Sequence, residues 1–171
     1  MIIVREERSE DIEAVRMVNE TAFGQPAEAN IADKLRENCQ DRLSLVATQN
    51  GAVVGHILFS PARIEEKGKT VQGMGLAPVA VLPSLQRQGI GTHLVLKGME
   101  ILKDRGCPFV IVLGYPEYYP RFGFERASLY GIRSQWEGVP DEAFMIRILD
   151  HATMKGLAGV ARYRDEFDDA M

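Results

Sequence analysis

The sequence predicts an α/β (α+β) fold: a mixed, mostly antiparallel central sheet flanked by helices, with one parallel βαβ unit. Three observations carry this. Asn50-Gly51 separates two apolar runs, residues 43–49 and 52–59, and supplies the positive φ angles of a tight type I′ hairpin turn. The apolar strand ending Val79-Ala80-Val81-Leu82 breaks at Pro83 and regains order as a helix through Gly89 and Gly91. After that helix, Phe109-Val110-Ile111-Val112-Leu113 is an unbroken apolar run, which fits a strand buried on both faces and lying parallel to the strand before the helix.

The elements follow in order. Residues 2–6 read as a first strand. Ser9 can cap a helix with Glu10 and Asp11 in its first turn, and Ile12, Val15, Val18 and Ala22 form its buried stripe. Gly24-Gln25-Pro26 ends that helix, and a second, shorter one carries Ile31, Leu35 and Cys39. Past the hairpin, residues 62–66 read as a further strand segment that reverses at Lys67-Gly68-Lys69 into residues 70–82. Pro78 cannot donate to a ladder, so it predicts a bulge or an edge, and with it a gap in the sheet. In the next helix Ile90, Leu94, Gly98, Ile101 and Leu102 face inward, Lys97, Glu100, Lys103 and Asp104 face outward, and Gly106 is the stop. An aromatic-rich turn at residues 115–124 precedes strands near 129–133, 143–149 and 157–163, with loops at 136–141 and 150–156 and an acidic end that frays.

At 171 residues, 46% of them hydrophobic, the chain suits one domain with a real core. We place the domain over residues 1–171, with its core at about 2–150 and a C-terminal extension at 151–171. Residues 157–167 can cover a sheet edge or meet a second subunit, which would make a homodimer. With 24 acidic against 20 basic side chains and a formal charge of −4, nucleic acid is excluded as the main partner, because no basic excess exists to release counterions. Cys39 and Cys107 stand apart from each other and from histidines, so neither a disulfide framework nor a metal site is expected. The N-terminal apolar run of Ile2-Ile3-Val4 is too short for a signal peptide or a membrane span, which leaves the cytoplasm as the expected location and no membrane as partner.

The glycine-bearing helix start is the natural seat for a phosphate. Its first N–H groups lack intrahelical partners, and the helix dipole puts roughly half a positive charge there. A P-loop would need a lysine after its second glycine, but Thr92-His93 follows Gly91. A dinucleotide fingerprint would need a third glycine where Leu94 stands. What remains is Gln-x-x-Gly-x-Gly at the start of a helix after a broken strand.

In Gln86-Arg87-Gln88-Gly89-Ile90-Gly91 the chain resembles the GNAT family, the Gcn5-related N-acetyltransferases, whose acetyl-CoA loop has the pattern Gln/Arg-x-x-Gly-x-Gly/Ala. The resemblance extends through the preceding strand, the two N-terminal helices and Tyr119-x-x-x-Gly123-Phe124. Residues 43–60 and 118–124 are similar to the YhbS-like subgroup. It implies a GNAT-like fold with acetyl-CoA (coenzyme A) as cofactor. It also implies that Gln86, Arg87, Gln88, Gly89, Ile90, Gly91 and Thr92 surround the pyrophosphate, while Val79 and Val81 offer main-chain groups to the pantetheine arm and Val79 or Ala80 an amide to the thioester carbonyl. Arg87 can add a charge-assisted phosphate contact or stand as a solvated loop cation.

The implied activity is transfer of an acetyl group to a primary amine of a small molecule, peptide or protein, by direct attack in a ternary complex. Such chemistry needs a neutral amine, a polarised carbonyl and a proton for the departing thiolate. Tyr119 matches the family's general acid; Tyr118 and Tyr115 are the neighbours most easily confused with it. No carboxylate lies between Val71 and Pro83, so a water relay to a backbone carbonyl or to a more distant acid is expected in place of a direct base. His56 reads better as a structural strand histidine than as that base, and His93 and His151 receive no role. A non-catalytic acyl-CoA-binding or regulatory domain would keep the same loop, whereas Tyr119 argues for catalysis. The acceptor is not legible beyond an entrance expected near residues 25–38 and 136–141.

Overall fold

The computed structural model describes residues 1–170 and folds around one nine-stranded sheet. Strand β1 (Ile2–Glu6) leads into α1 (Ile12–Phe23) and α2 (Ala27–Asn38). The strands β2 (Leu43–Gln49), β3 (Ala52–Glu66) and β4 (Lys69–Val81) form an antiparallel meander. Helix α3 (Ile90–Asp104) then crosses over to β5 (Phe109–Leu113). The remainder is β6 (Glu125–Arg126), β7 (Ile132–Ser134), β8 (Phe144–Ile148), the single-turn helix α4 (His151–Met154) and β9 (Gly159–Arg162). The order β1-β2-β3-β4-β5-β8-β6 is antiparallel except at β4–β5, and β9 pairs with both β3 and, in parallel, β7.

The period-two alternation of β3 and β5 splits the core in two. Ile57, Phe59, Val110 and Val112 point toward α3, where they meet Leu94, Val95 and Leu102. Leu58, Ile64, Phe109 and Ile111 point the other way, toward Leu35 of α2 and the C-terminal segment. Burying both faces of the sheet gives these side chains nearly full removal from water, about 25 cal/mol per Å² of apolar surface.

The hairpin turn has the expected geometry, with φ of 51° at Asn50 and 82° at Gly51. The break at Pro78 is present as well. Register against β3 slips between Ile57 and Phe59, so that Val79 faces Ile57 while Leu76 faces Phe59. The parallel pairing of β4 with β5 spans Met74 to Leu76 and goes no further. Beyond the bulge β4 leaves β5, and its edge from Val79 to Val81 opens onto a gap.

Several expectations are corrected. Ser9 does not cap α1: residues 9–11 form a 3-10 turn in which the Asp11 carboxylate accepts the Arg8 N–H at 2.7 Å and a bidentate pair from Arg5. Asp11 wins because one buried carboxylate satisfies both a backbone donor and a guanidinium. Helix α2 is no shorter than α1; each has 12 residues. The segment at 62–66 is not a separate strand but the far half of β3. Pro61 sits between the stretch paired with β2, which ends at Phe59, and the stretch paired with β9, which begins at Arg63, so a missing donor breaks no ladder on that edge. The strand expected at 129–133 is confined to Ile132–Ser134, because residues 127–130 turn as a 3-10 helix closed by Gly131. The loop expected at 150–156 holds α4, capped by the Asp150 carboxylate accepting the Thr153 N–H at 3.2 Å.

The acidic end is also ordered by its neighbours. Residues 165–170 form a 3-10 helix whose Phe167 is buried, and Asp168 accepts the Trp136 indole N–H at 3.2 Å. Met171 lies outside the described residues. Within 157–167, β9 takes the β3 edge that β2 leaves uncovered, through Arg162, Ala161 and Val160.

Candidate active site

The local chain between β4 and α3 explains the first half of the site. Pro83 starts a 3-10 turn, and Gln86 is extended. Arg87 (φ 64°) and Gly89 (φ 89°) take left-handed conformations that aim successive N–H groups to one side. The helical ladder begins with the His93 N–H donating to Gly89, leaving the N–H groups before it free. An ideal Cβ on Gly91 would lie 3.0 Å from the Tyr118 hydroxyl and 3.8 Å from Val81, so this helix start is open only because residue 91 has no side chain.

A cavity of about 580 Å³ runs along this start and up the free edge of β4. Val79, Val81, Gln86, Arg87, Gly89, Ile90, Gly91 and Thr92 line it, as does Tyr119. Ala80 and Gln88 do not. The reason for Ala80 is parity. Leu82 N–H bonds to Val54, so in the alternating antiparallel ladder Ala80, opposite His56, also turns its main chain to β3, whereas Val79 and Val81 turn theirs to the gap. The Ala80 side chain is buried as well. One of the freed groups has an internal partner: the Gln86 side-chain amide donates to the Val81 carbonyl at 3.0 Å.

The turn after β5 builds the other wall. Residues 119–122 coil as a 3-10 helix closed by Gly123, which puts Tyr118, Tyr119 and Phe122 in edge-on contact, with Tyr118 and Tyr119 centroids 5.1 Å apart. The Tyr119 ring lies across Gly114, where any Cβ would collide with it, and packs on Phe124. Only 8% of Tyr119 is exposed. Burial, followed by the neighbouring Tyr118 and Tyr115, pushes this phenol well above its ordinary range, so it stays protonated. Arg121 stacks its guanidinium 4.7 Å over the Tyr118 ring and shares the cavity with Arg87. Two cations, a helix start and no acid on the wall suit a diphosphate.

A second cavity, of about 300 Å³, lies on the α2 side of the gap. It shares Val79, Tyr115 and Tyr119 with the first and adds Glu28 and Ile31 of α2, Trp136 and the C-terminal Tyr163 and Phe167. Tyr163 closes the gap at its base: its ring fills the space a Cβ on Gly75 would need, and its hydroxyl lies 3.2 Å from the Leu76 carbonyl and 3.3 Å from that of Ile111, beside the last paired rung of β4 and β5, Leu76 with Val112.

His56 is not brought to either cavity. It is fully buried between Asn19, whose amide donates to Nδ1 at 3.0 Å, and Ser44, whose hydroxyl lies 2.9 Å from Nε2; that pairing assigns the proton to Nε2. Burial, with Arg36 adding, drives its pKa down to about 3, so it is a neutral structural histidine at ordinary pH. His93 and His151 are exposed and line neither cavity. Among the described residues no cluster of acids, cysteines and histidines could hold a metal ion, and no helix is long and apolar enough to cross a membrane.

The segments expected at the entrance, 25–38 and 136–141, do supply Glu28, Ile31 and Trp136 to the second cavity, but reading the sequence did not single out Glu28 and gave no site role to Tyr118, Arg121 or Tyr163. The three-residue step from Tyr118 to Arg121 in a turn was a usable signal for that pair. Nothing local marks Tyr163, or picks Glu28 out from its neighbours in 25–38; both arrive from distant parts of the chain.

A splayed β4–β5 pair with a helix start of free N–H groups on one side, an aromatic-lined chamber on the other and a protonated tyrosine between them fits an acyl-transfer site of the acetyltransferase kind. A family model described as "Acetyltransferase (GNAT) domain" matches residues 3–127, and the chain belongs to the GNAT family of acyltransferases. It is 33% identical over 168 residues to the uncharacterized N-acetyltransferase YhbS of Escherichia coli (strain K12), covering 98% of this chain and 99% of that one. The crystal structure of E. coli YhbS in complex with CoA is similar at a TM-score of 0.91 with 33% identity, over 98% of this chain and 92% of that one. A GNAT acetyltransferase from Brucella melitensis in complex with acetyl-CoA is similar at 0.79, again with 33% identity, over 98% and 99% of the two chains.

Proposed function

We propose that the chain is an acetyl-CoA-dependent N-acetyltransferase acting by direct attack of a primary amine in a ternary complex, in the cytoplasm. The observation that carries this reading is that the two cavities meet across the β4–β5 gap at Val79 and Tyr119. A donor lying along α3 and an acceptor entering from the α2 side would touch at that place alone.

Bound acetyl-CoA supplies an acetyl thioester, whose C–S bond breaks as the C–N bond to the amine forms. The residues of this chain do the rest. The N–H groups of residues 89–92 and the guanidinium groups of Arg87 and Arg121 hold the diphosphate. The Gln88 side chain keeps to the outside of that loop. Val79 and Val81 present main-chain groups to the arm, and the Val79 N–H is the one turned toward the gap where the thioester oxygen gains charge. Tyr119 donates its proton to the leaving sulfur; of the two protons the ammonium sheds on becoming an amide, one restores the phenol through water and the other leaves to solvent. Glycines 89 and 91 keep the helix start bare for the phosphates.

Support also comes from the relatives found with CoA and acetyl-CoA bound, at 33% identity over nearly the whole chain. Coenzyme A should raise the melting temperature where ATP and NAD do not, a ligand at a hundred times its Kd stabilising by about 2.7 kcal/mol. Acetyl-CoA should release thiol only when an amine is present. Equal shifts with all three ligands would remove the cofactor assignment. Coenzyme A binding without turnover on any amine would instead favour a regulatory acyl-CoA-binding domain.

A further inference from the structure

We infer that the acceptor is a small primary amine carried on an uncharged apolar, aromatic-sized body, held in the α2-side chamber with its ammonium group drawn to Glu28. The inference rests on the acetyltransferase reading and specifies its missing substrate class.

The chamber walls argue for the body. Phe23, Trp136, Tyr163 and Phe167 bring four aromatic rings to one cavity of about 300 Å³, at the low end of small-molecule sites. Trp136 stacks on Tyr163 at an interplanar angle of 27°, and Tyr163 is tilted against Phe167, so these rings form one continuous aromatic wall. A flat apolar body gains both burial and ring-to-ring contact there. Phe23 stands at the C-terminal end of α1 and keeps 39% of its surface exposed, an apolar rim group with nothing else to cover it among the described residues.

Charge argues for the head. Glu28 is the one ionisable carboxylate on this wall, and no lysine or arginine lines it. It sits in the first turn of α2, where the helix dipole favours a negative group, and the Gln25 side-chain amide holds both its oxygens, at 3.0 and 3.1 Å. An acceptor with its own carboxylate or phosphate would find no cation here, and a polyamine would have to leave a second ammonium against apolar walls, which is costly. One amine on one apolar body satisfies the chamber. Both Glu28 and Tyr119 line it, so the amine that Glu28 draws in shares one chamber with the reacting carbonyl, which it attacks once it has lost its proton.

The test is acetyl-CoA-dependent thiol release by the full chain with phenethylamine, hexylamine, spermidine, glutamate and a lysine-containing peptide. Phenethylamine should exceed spermidine, glutamate and the peptide in kcat/KM by about tenfold or more. Glu28→Gln should raise the KM for phenethylamine about tenfold with kcat nearly kept, and Glu28→Asp should recover part of that loss. Phe23→Ser, a change at the exposed rim that leaves the core intact, should also raise that KM. Coenzyme A should stabilise wild type and all three variants alike. If spermidine, glutamate or the peptide is preferred while coenzyme A still stabilises the protein, the substrate class is wrong and the acetyltransferase reading stands. A Glu28→Gln variant with unchanged KM likewise overturns the anchor. If no amine is turned over, or coenzyme A does not bind, both readings fall together.

Discussion

Tyr119→Phe removes one oxygen atom from the place where the two cavities meet. The ring is held by Gly114, Phe124 and Tyr118, none of which bonds to the hydroxyl, so the phenylalanine should occupy the same space and the fold should be kept. General acid catalysis is worth about 10²–10⁴-fold, or roughly 3–5 kcal/mol. Two features put this site at the lower end. A departing thiol of pKa about 8.5 is a fair leaving group without help. Burial also makes Tyr119 a weaker acid than an ordinary tyrosine. We therefore expect kcat to fall about 100-fold while coenzyme A raises the melting temperature as in wild type. The same burial predicts that wild-type kcat holds on the alkaline side beyond the ordinary tyrosine range of about 10, since the donor loses its proton only above it. Steady-state thiol release over pH, with parallel thermal melts, measures both. An unchanged kcat in Tyr119→Phe removes the hydroxyl from the mechanism, and a lost coenzyme A shift would make it a binding group instead.

Three further outcomes are expected. Gly91→Leu should weaken coenzyme A binding by at least about tenfold, seen as a lost melting shift, because a side chain there runs into the Tyr118 hydroxyl and the cavity. Arg121→Ala should raise the KM for acetyl-CoA about tenfold, most clearly at low salt, since a partly exposed cation is screened. Stability should depend on His56 below neutrality. Its folded pKa of about 3 lies under the unfolded value of about 6.5, so the unfolded chain binds the extra proton and stability, complete above about pH 6.5, declines by up to ~1.4 kcal/mol per pH unit on acidification. Denaturant midpoints between about pH 6.5 and 4.5 would read this histidine, because carboxylates such as Asp11, held low by the hydrogen bond from Arg5, titrate further down. A His56→Gln variant should flatten the slope.

Particular residues show how far local reading reaches. The hairpin at Asn50-Gly51, the slip at Pro78, the glycine-bearing start of α3 and the buried strand β5 each depend on backbone chemistry within a few residues, and all four were legible. The start of α1 was misread because Ser9 and Asp11 are both good caps locally, and only the Arg5 side chain of the neighbouring strand decides between them. The acidic tail read as frayed because its charge is local, while the contacts that order it come from Trp136 and the core around Phe167.

By itself, the sequence determined the α3 side of the proposed site: a helix start with free N–H groups, glycines that leave it bare and a proline that frees the strand edge are all short-range properties of residues 78–91. The tertiary structure decided the side proposed for the acceptor. Glu28 lies more than a hundred residues before Trp136 and Tyr163, and the three meet only because α2 packs on one face of the sheet while β9 brings the chain end back along β3. Strand parity likewise decided that Val79 and Val81, not Ala80, face the gap, since that follows from pairing with β3 rather than from residue type.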